Sequence, residues 1–223
     1  MSTKSLQITP RFSAWLVALS QSALLMLGGA GRLAAAETIP ATPLTIPKPA
    51  AANQAKPATL QAGAVAPDFV SMDLSGRTVR LSDLDGKVVV LDFWATWCGP
   101  CQQSLPHTQE VAKKFKKQGV VVLAVCTSDT RAKFEAWMKV SQVKYPDILF
   151  TCDPNDRGSA TYAQRASQKD YGVAGIPTQF IIGRDGKISS VLVGYSAGDT
   201  RLESALAKVG LSGPGATPAN TKK

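Results

Sequence analysis

Val88 to Trp94 reads Val-Val-Val-Leu-Asp-Phe-Trp, an apolar run rich in β-branched residues and broken by a single carboxylate. A run of this length and composition is a strand buried on both faces, and therefore central in its sheet. Pro100 to about Gln118 follows with helical spacing, and Gly119 stops it where a helix end favours a left-handed residue. Val120 to Val125 is a second buried strand. Together they make a βαβ unit, whose right-handed crossover requires the two strands to be parallel.

Downstream, Thr130 to Val140 reads as a helix, Asp147 to Thr151 as a short strand, and Ser159 to Tyr171 as a helix with polar outer positions. Thr178 to Ile182 and Ile188 to Val193 flank Arg184-Asp185-Gly186-Lys187, whose Asp-Gly suits a tight turn, so an antiparallel hairpin is predicted. Thr200 to Val209 closes the domain as a helix. Asp68 to Leu81, with Ser75-Gly76 at its middle, predicts another hairpin ahead of the first core strand. The class is α/β: a mixed central sheet flanked by helices, with an N-terminal β-hairpin extension.

The chain ends read differently. Residues 1–36 run from Lys4 and Arg11 through uncharged Phe12 to Gly31 to Ala34-Ala35-Ala36, the pattern of an export signal cleaved after small residues. An uncleaved anchor is the alternative, since about 20 uncharged residues can span a bilayer, although Ser13, Ser20, Gln21 and Ser22 interrupt them. Either places the rest of the chain in the periplasm or another extracytoplasmic compartment, where disulfides persist. Residues 37–64 form an Ala/Pro-rich linker, 65–209 the folded domain, and 210–223, rich in Gly and Pro, a disordered tail. The net charge of +9 does not point to nucleic acid. Lys4, Arg11 and Arg32 belong to the leader, Lys113-Lys114-Phe115-Lys116-Lys117 reads as a solvated helix face, and no base-stacking aromatic pattern accompanies the charge.

Cys98 falls where the central strand ends and Cys101 in the first turn of the next helix. Unpaired N–H groups and the positive end of the helix dipole favour a thiolate there, and a thiolate is the species that attacks a disulfide sulfur. Cys98, at the exposed end of the turn, is the expected attacking thiol; Cys101, further into the helix, resolves the mixed disulfide. A stable disulfide and half of a zinc site are the alternatives. A closed zinc site usually takes four N or S ligands, and the one histidine, His107, lies on the same helix, so Cys126 and Cys152 would have to complete it. The redox reading needs neither metal nor cofactor. Cys126 ends one predicted strand and Cys152 follows another, so a second disulfide along that sheet edge is open.

Leu91-Asp92-Phe93-Trp94-Ala95-Thr96-Trp97-Cys98-Gly99-Pro100-Cys101 resembles the active-site segment of thioredoxins and of their exported TlpA-like and ResA-like relatives. The resemblance continues at Gly175-Ile176-Pro177-Thr178, similar to the loop whose cis-proline faces the cysteines, and at Val193-Gly194. Ala66-Pro67-Asp68-Phe69 and Val79-Arg80-Leu81 resemble the front hairpin of the exported branch. About Val65 to Val209 is covered, which implies the thioredoxin fold and thiol-disulfide oxidoreductase activity. The resemblance also implies that Pro177 is cis, that Ile176 offers its backbone to an extended substrate, and that Trp97, Gly99 and Pro100 form a docking surface. Pro106 falls where the family's helix is kinked.

Asp92 is the most informative residue, because a carboxylate in an apolar strand is costly unless protonated or hydrogen-bonded. Burial raises its pKa, and the resemblance gives it the task of taking the proton from Cys101. Three features depart from the family, the first being Asp92 itself, since many exported relatives carry Asn at its position. Ser104 stands where the ResA-like branch carries Glu, and Val125 where thioredoxins place a Lys near the buried Asp.

Gly99-Pro100 between the cysteines is associated, by resemblance, with reducing members of the fold. The expected function is an exported reductase of specific protein disulfides, such as those of apocytochrome c or a metalloprotein under assembly, served by a membrane or exported electron donor. An oxidase of exported thiols would use the same chemistry. A peroxiredoxin would carry Thr where Ala95 stands, and a copper-delivery protein would use Cys-x-x-x-Cys with a distant His.

Overall fold

The computed structural model describes residues 58–211; the leader, the linker up to residue 57 and the tail from residue 212 lie outside the described residues. The elements run β1 (Val70–Met72), β2 (Thr78–Arg80), β3 (Val88–Trp94), α1 (Gly99–Phe115), β4 (Val120–Cys126), α2 (Arg131–Ser141) and β5 (Ile148–Cys152). They continue with α3 (Ala166–Lys169), β6 (Thr178–Ile182), β7 (Ile188–Val193) and α4 (Arg201–Lys208). One sheet contains all the strands, in the order β2-β1-β5-β4-β3-β6-β7. Strands β3, β4 and β5 are parallel, while β6, β7 and the front hairpin run antiparallel to their neighbours. The mixed α/β sheet with its N-terminal hairpin is thus as the sequence implies.

Every residue of β3 is buried. Val88, Val90 and Trp94 join one core cluster with Leu105, Ala112 and Phe115 of α1, Phe134 of α2 and Leu206 of α4. Val89, Leu91 and Phe93 join a second cluster on the opposite face, with Phe69, Tyr171 and Phe180. That second face is aromatic at its centre: Tyr171 meets Phe93 and Phe180 edge-on at centroid distances of 5.2 and 5.0 Å. Its hydroxyl donates to the Pro67 carbonyl at 2.7 Å, tying the front of the chain to the core.

Local chemistry sets the turns. Asp73 accepts from the Ser75 and Arg77 amides, each at 2.9 Å, and closes the β1–β2 turn in which Gly76 takes φ 81°. Met72 then pairs with Cys152, so the hairpin extends the sheet beyond β5. Arg131 at the start of α2 holds that turn from behind, donating to the Asp73 and Leu74 carbonyls at 2.6 and 3.2 Å.

Three places differ from expectation. The helix predicted over Ser159 to Tyr171 is a 3₁₀ turn at Tyr162–Gln164 and the single turn α3. Ser159 Oγ accepts from the Thr161 amide at 3.0 Å, local bonding that competes with a helical ladder. The Ala166 amide is taken by Asp153 Oδ2 at 2.8 Å, which starts the helix late. Residues 59–64, read as the end of the linker, are bound to the domain: the Leu60 amide donates to Tyr171 O at 3.1 Å and the Gly63 amide to Ile188 O at 2.8 Å. Leu211, read as part of the 210–223 tail, is buried. Among the described residues no helix is long and apolar enough to cross a membrane.

Tyr171→Phe should cost about 0.5–1.5 kcal/mol by removing the hydrogen bond to the half-buried Pro67 carbonyl, and Tyr171→Ala about 3–5 kcal/mol. Urea denaturation measures both. No loss in Tyr171→Phe would mean that the hydroxyl contributes nothing beyond the ring.

Candidate active site

The parallel β3–α1–β4 unit puts the start of α1 at the end of the central strand. Cys98 is the N-cap of α1, in extended conformation, with Gly99 and Pro100 opening the helix. Proline is tolerated there because its missing N–H has no intrahelical partner to lose. Cys98 and Cys101 form a disulfide, and the Cys101 amide points at Cys98 Sγ from 3.2 Å. Cys98 is 4 % exposed and Cys101 1 %, so in the bridged state both sulfurs are shielded and the expected difference in access is narrow.

Around them the surface is open. Trp97 is 57 % exposed, and its indole N–H donates to the Ser128 carbonyl at 3.0 Å. It is therefore not a core residue. Gly99 and Pro100 are exposed, Ile176 is half-buried and Pro177 buried. The Ile176–Pro177 peptide bond is cis. Ile176 O lies 3.7 Å from Cys98 Sγ, so this loop faces the disulfide directly. The loop is fixed at both sides: Thr178 Oγ1 donates to Gly175 O at 2.7 Å and the Gly194 amide to Pro177 O at 2.8 Å.

Asp92 is 1 % exposed on the face of β3 that α1 covers. Antiparallel register sets Gln179 of β6 directly opposite it. Gln179 Nε2 donates to Asp92 Oδ2 at 2.9 Å and also reaches Thr108 Oγ1 of α1 at 3.4 Å. Asp92 Oδ1 is buried without a partner among the described residues. Desolvation raises the carboxyl pKa from 3.8 to about 6, and the Gln179 hydrogen bond offsets this only in part.

Val125 is not a neighbour of that carboxylate. It is the partner of Phe93 and belongs to the opposite core cluster, so a lysine here would also point away from Asp92. Ser104 is buried, and its hydroxyl donates to Cys101 O at 2.7 Å, within its own helix turn. Two supporting residues were missed in the sequence. Gln179 is signalled by its place two residues after Pro177, a polar side chain in a wholly buried strand. Asp129 has no such signal: its Oδ2 accepts the Thr96 amide at 2.6 Å and so holds the loop before Trp97 from a distant segment. Gln102 Nε2 donates to the Thr96 carbonyl from the other side.

His107 bonds Glu203 of α4 at 2.8 Å. Among the described residues no three His, Cys, Asp or Glu side chains converge to hold a metal ion.

A thioredoxin-like sheet with a Cys-x-x-Cys pair capping the helix after its central strand, faced by a cis-proline loop, defines a thiol-disulfide oxidoreductase. The chain belongs to the AhpC/TSA family, whose sequence profile matches residues 62–191. It is 33 % identical over 150 residues to the thiol-disulfide oxidoreductase ResA of Bacillus cereus, covering 67 % of this chain and 79 % of that one. Identity to ResA of Bacillus subtilis is 35 % over 136 residues, covering 61 % and 69 %. Among solved structures it resembles a Chlorobium tepidum protein assigned as thiol:disulfide interchange protein DsbE. That match has a TM-score of 0.55 and 38 % identity, over 68 % of this chain and 99 % of the other.

The raised pKa makes a stability prediction. Below pH 3.8 folded and unfolded chains both carry the Asp92 proton. Between 3.8 and about 6 only the folded chain keeps it, so stability falls as pH rises, reaching a constant cost of about 3 kcal/mol above that window. Asp92→Asn should therefore stabilise the protein at pH 8 by about 2–3 kcal/mol and by nearly nothing at pH 3.5. Denaturant midpoints at the two pH values test this; a gain independent of pH would show that the carboxylate is not the source.

Proposed function

We propose that this oxidoreductase is an exported reductase of specific protein disulfides, with Cys98 attacking and Cys101 resolving. The observation that carries the reading is the placement of Cys98 Sγ at the N-cap of α1, 3.2 Å from the Cys101 amide. A thiolate there receives a backbone N–H and the positive end of the helix dipole.

In the forward reaction the Cys98 thiolate attacks one sulfur of the substrate disulfide. A mixed disulfide forms, and the substrate's other sulfur leaves as a thiolate that takes up a proton. Cys101 then loses its proton to Asp92, whose affinity near pH 6 suits it to accept and return a proton in neutral solution. The Cys101 thiolate attacks Cys98 Sγ, closing the internal disulfide and expelling the second substrate thiol. Two electrons pass to the substrate and must be restored by an exported or membrane dithiol donor.

Trp97, Gly99, Pro100 and Ile176 would receive the substrate, with an extended segment pairing against the Ile176 backbone. Support for a protein substrate comes from the exposure of this surface, where Trp97, Gly99 and Pro100 all face solvent. The export reading rests on the leader pattern in residues 1–36, with the periplasm as compartment and a membrane anchor if the leader is retained. Maturation of cytochrome c or of another metalloprotein is the proposed setting.

The Cys98–Cys101 potential should lie near about −270 mV; a value near about −120 mV would make the protein an oxidant and overturn the direction. Cys101→Ser should capture substrate proteins as mixed disulfides on Cys98, and capture of small thiols alone would replace the protein-substrate reading. Asp92→Asn should prolong the mixed disulfide by about 10²-fold at pH 7, measured by acid quench; an unchanged lifetime would remove Asp92 as the base.

A further inference from the structure

Two cysteines outside the active pair lie side by side behind it. Cys126 ends β4 and Cys152 ends β5, and the parallel register sets them directly opposite one another. Opposed residues on paired strands share a face, with backbones about 4.8 Å apart, inside the range of Cα separations that a disulfide spans. Both are free thiols and both are buried, at 1 % and 2 % exposure. Both belong to the apolar cluster of that face, yet each sulfur also has a polar partner. Cys126 Sγ donates to Asp129 Oδ2 at 3.4 Å, the same oxygen that accepts the Thr96 amide at 2.6 Å. Cys152 Sγ donates to the Asp153 carbonyl at 3.6 Å. Cys152 also forms part of the wall of a surface cleft of about 230 Å³, shared with Met72, Arg131, Pro154 and Asp156.

We propose that Cys126 and Cys152 are a second thiol-disulfide couple, closed by a low-molecular-weight disulfide that enters this cleft, and that its state is felt at the active-site loop through Asp129.

The chemistry balances without a further reagent. Cys152, at the cleft wall, attacks one sulfur of the small disulfide as a thiolate; a mixed disulfide forms and the first small thiol leaves with the proton Cys152 gave up. Cys126 then passes its proton to the Asp129 carboxylate that already accepts its hydrogen bond, and its thiolate attacks Cys152 Sγ. The Cys126–Cys152 bond forms, and the second small thiol leaves, taking the proton from Asp129. The protein loses two electrons and two protons, and one small disulfide becomes two thiols. Before the reaction the neighbouring Cys152 and the burial of the site hold Cys126 in its thiol form. That neighbour is removed as a donor once Cys152 is in mixed disulfide.

Closure changes the support of the active site. Asp129 Oδ2 loses the Cys126 S–H donor and keeps the Thr96 amide, two residues before Cys98. Ser128, next to Asp129, carries the carbonyl that holds the Trp97 indole. The segment 126–129 is therefore common to both cysteine pairs.

The test uses the full chain carrying Cys98→Ser and Cys101→Ser, so that only the second pair can react. It is equilibrated in buffers of oxidised and reduced glutathione, quenched with acid, denatured and alkylated. Reduced protein should take two alkyl groups and oxidised protein none, with a peptide pair joined through Cys126 and Cys152 and no retained glutathione. Two labels at every ratio, or glutathione held on Cys152 without closure, would overturn the couple. Cys126→Ala in the same background should then stop at the glutathione adduct on Cys152; an unmodified Cys152 in that variant, with its circular dichroism unchanged, would overturn the proposed entry route. For the link to the active site, the Thr96 amide resonance should shift on oxidation of the pair. A resonance that stays fixed would limit the second couple to a local bridge.

Discussion

The site depends on one geometric constraint: the place where a wholly buried strand gives way to a helix. β3 has no exposed residue, so a reactive group has to be carried by the segment that leaves it. The right-handed crossover to β4 fixes the direction in which α1 must leave. The start of α1, with its unpaired amides, consequently sits on the edge of the sheet, and Cys98 occupies the one position whose side chain caps them. The loop after β3 is short and could not hold this geometry alone. Thr96 is gripped by Asp129 and Gln102, and the Thr127 amide closes onto Trp94 O at 3.0 Å. Residues near in space and distant in sequence supply the rigidity that the thiol chemistry requires.

The same strand carries the structure's main electrostatic cost. Asp92 interrupts an apolar run, has one oxygen without a partner, and prefers its proton well into the range where a surface aspartate is charged. A leucine would be the stable choice. The Gln179 amide tempers the cost without abolishing it, since one neutral hydrogen bond does not replace hydration. Thr108 on α1 completes a chain from the carboxylate through Gln179 to the helix that bears both cysteines. At this depth burial, rather than bulk water, sets the proton affinity of the carboxylate, which suits the role proposed for it.

Much of this was legible in the sequence because the governing signals are local. The apolar period placed β3 and β4, Gly119 ended the helix region with φ 79°, and Asp185-Gly186 turned the last hairpin. Cys98, Cys101 and Asp92 could be picked out because each breaks the pattern of its own segment. What escaped notice depends on register and on long-range contacts. Val125 lines up with a family lysine in one dimension, yet strand alternation sends it to the other face. Gln179 becomes the partner of Asp92 only once β6 is paired antiparallel to β3 in a particular register. The short irregular segment before α3 had helical spacing, but Ser, Thr and Asp side chains took the backbone groups a helix would have used.

Ser104 shows how such contacts redistribute a function across a fold. A glutamate there would stand one turn beyond Cys101 and could exchange protons with it; a serine cannot, and in this chain its hydroxyl is already committed to Cys101 O. On the proposed mechanism the proton of Cys101 would be accepted from beneath the helix, where Asp92 is a buried carboxylate on the covered face of the central strand. That arrangement makes the carboxylate's environment the controlling variable. A cleft bordered by Ser104 and Pro177 and by the Thr108 and Gln179 that link to the carboxylate has a volume of about 10 Å³, room for a single water. Its walls are the cis-proline loop and the helix that a docked substrate would cover. On the proposed mechanism, a substrate docked over Ile176 and Pro177 would cover one wall of that cleft at the stage when Cys101 gives up its proton.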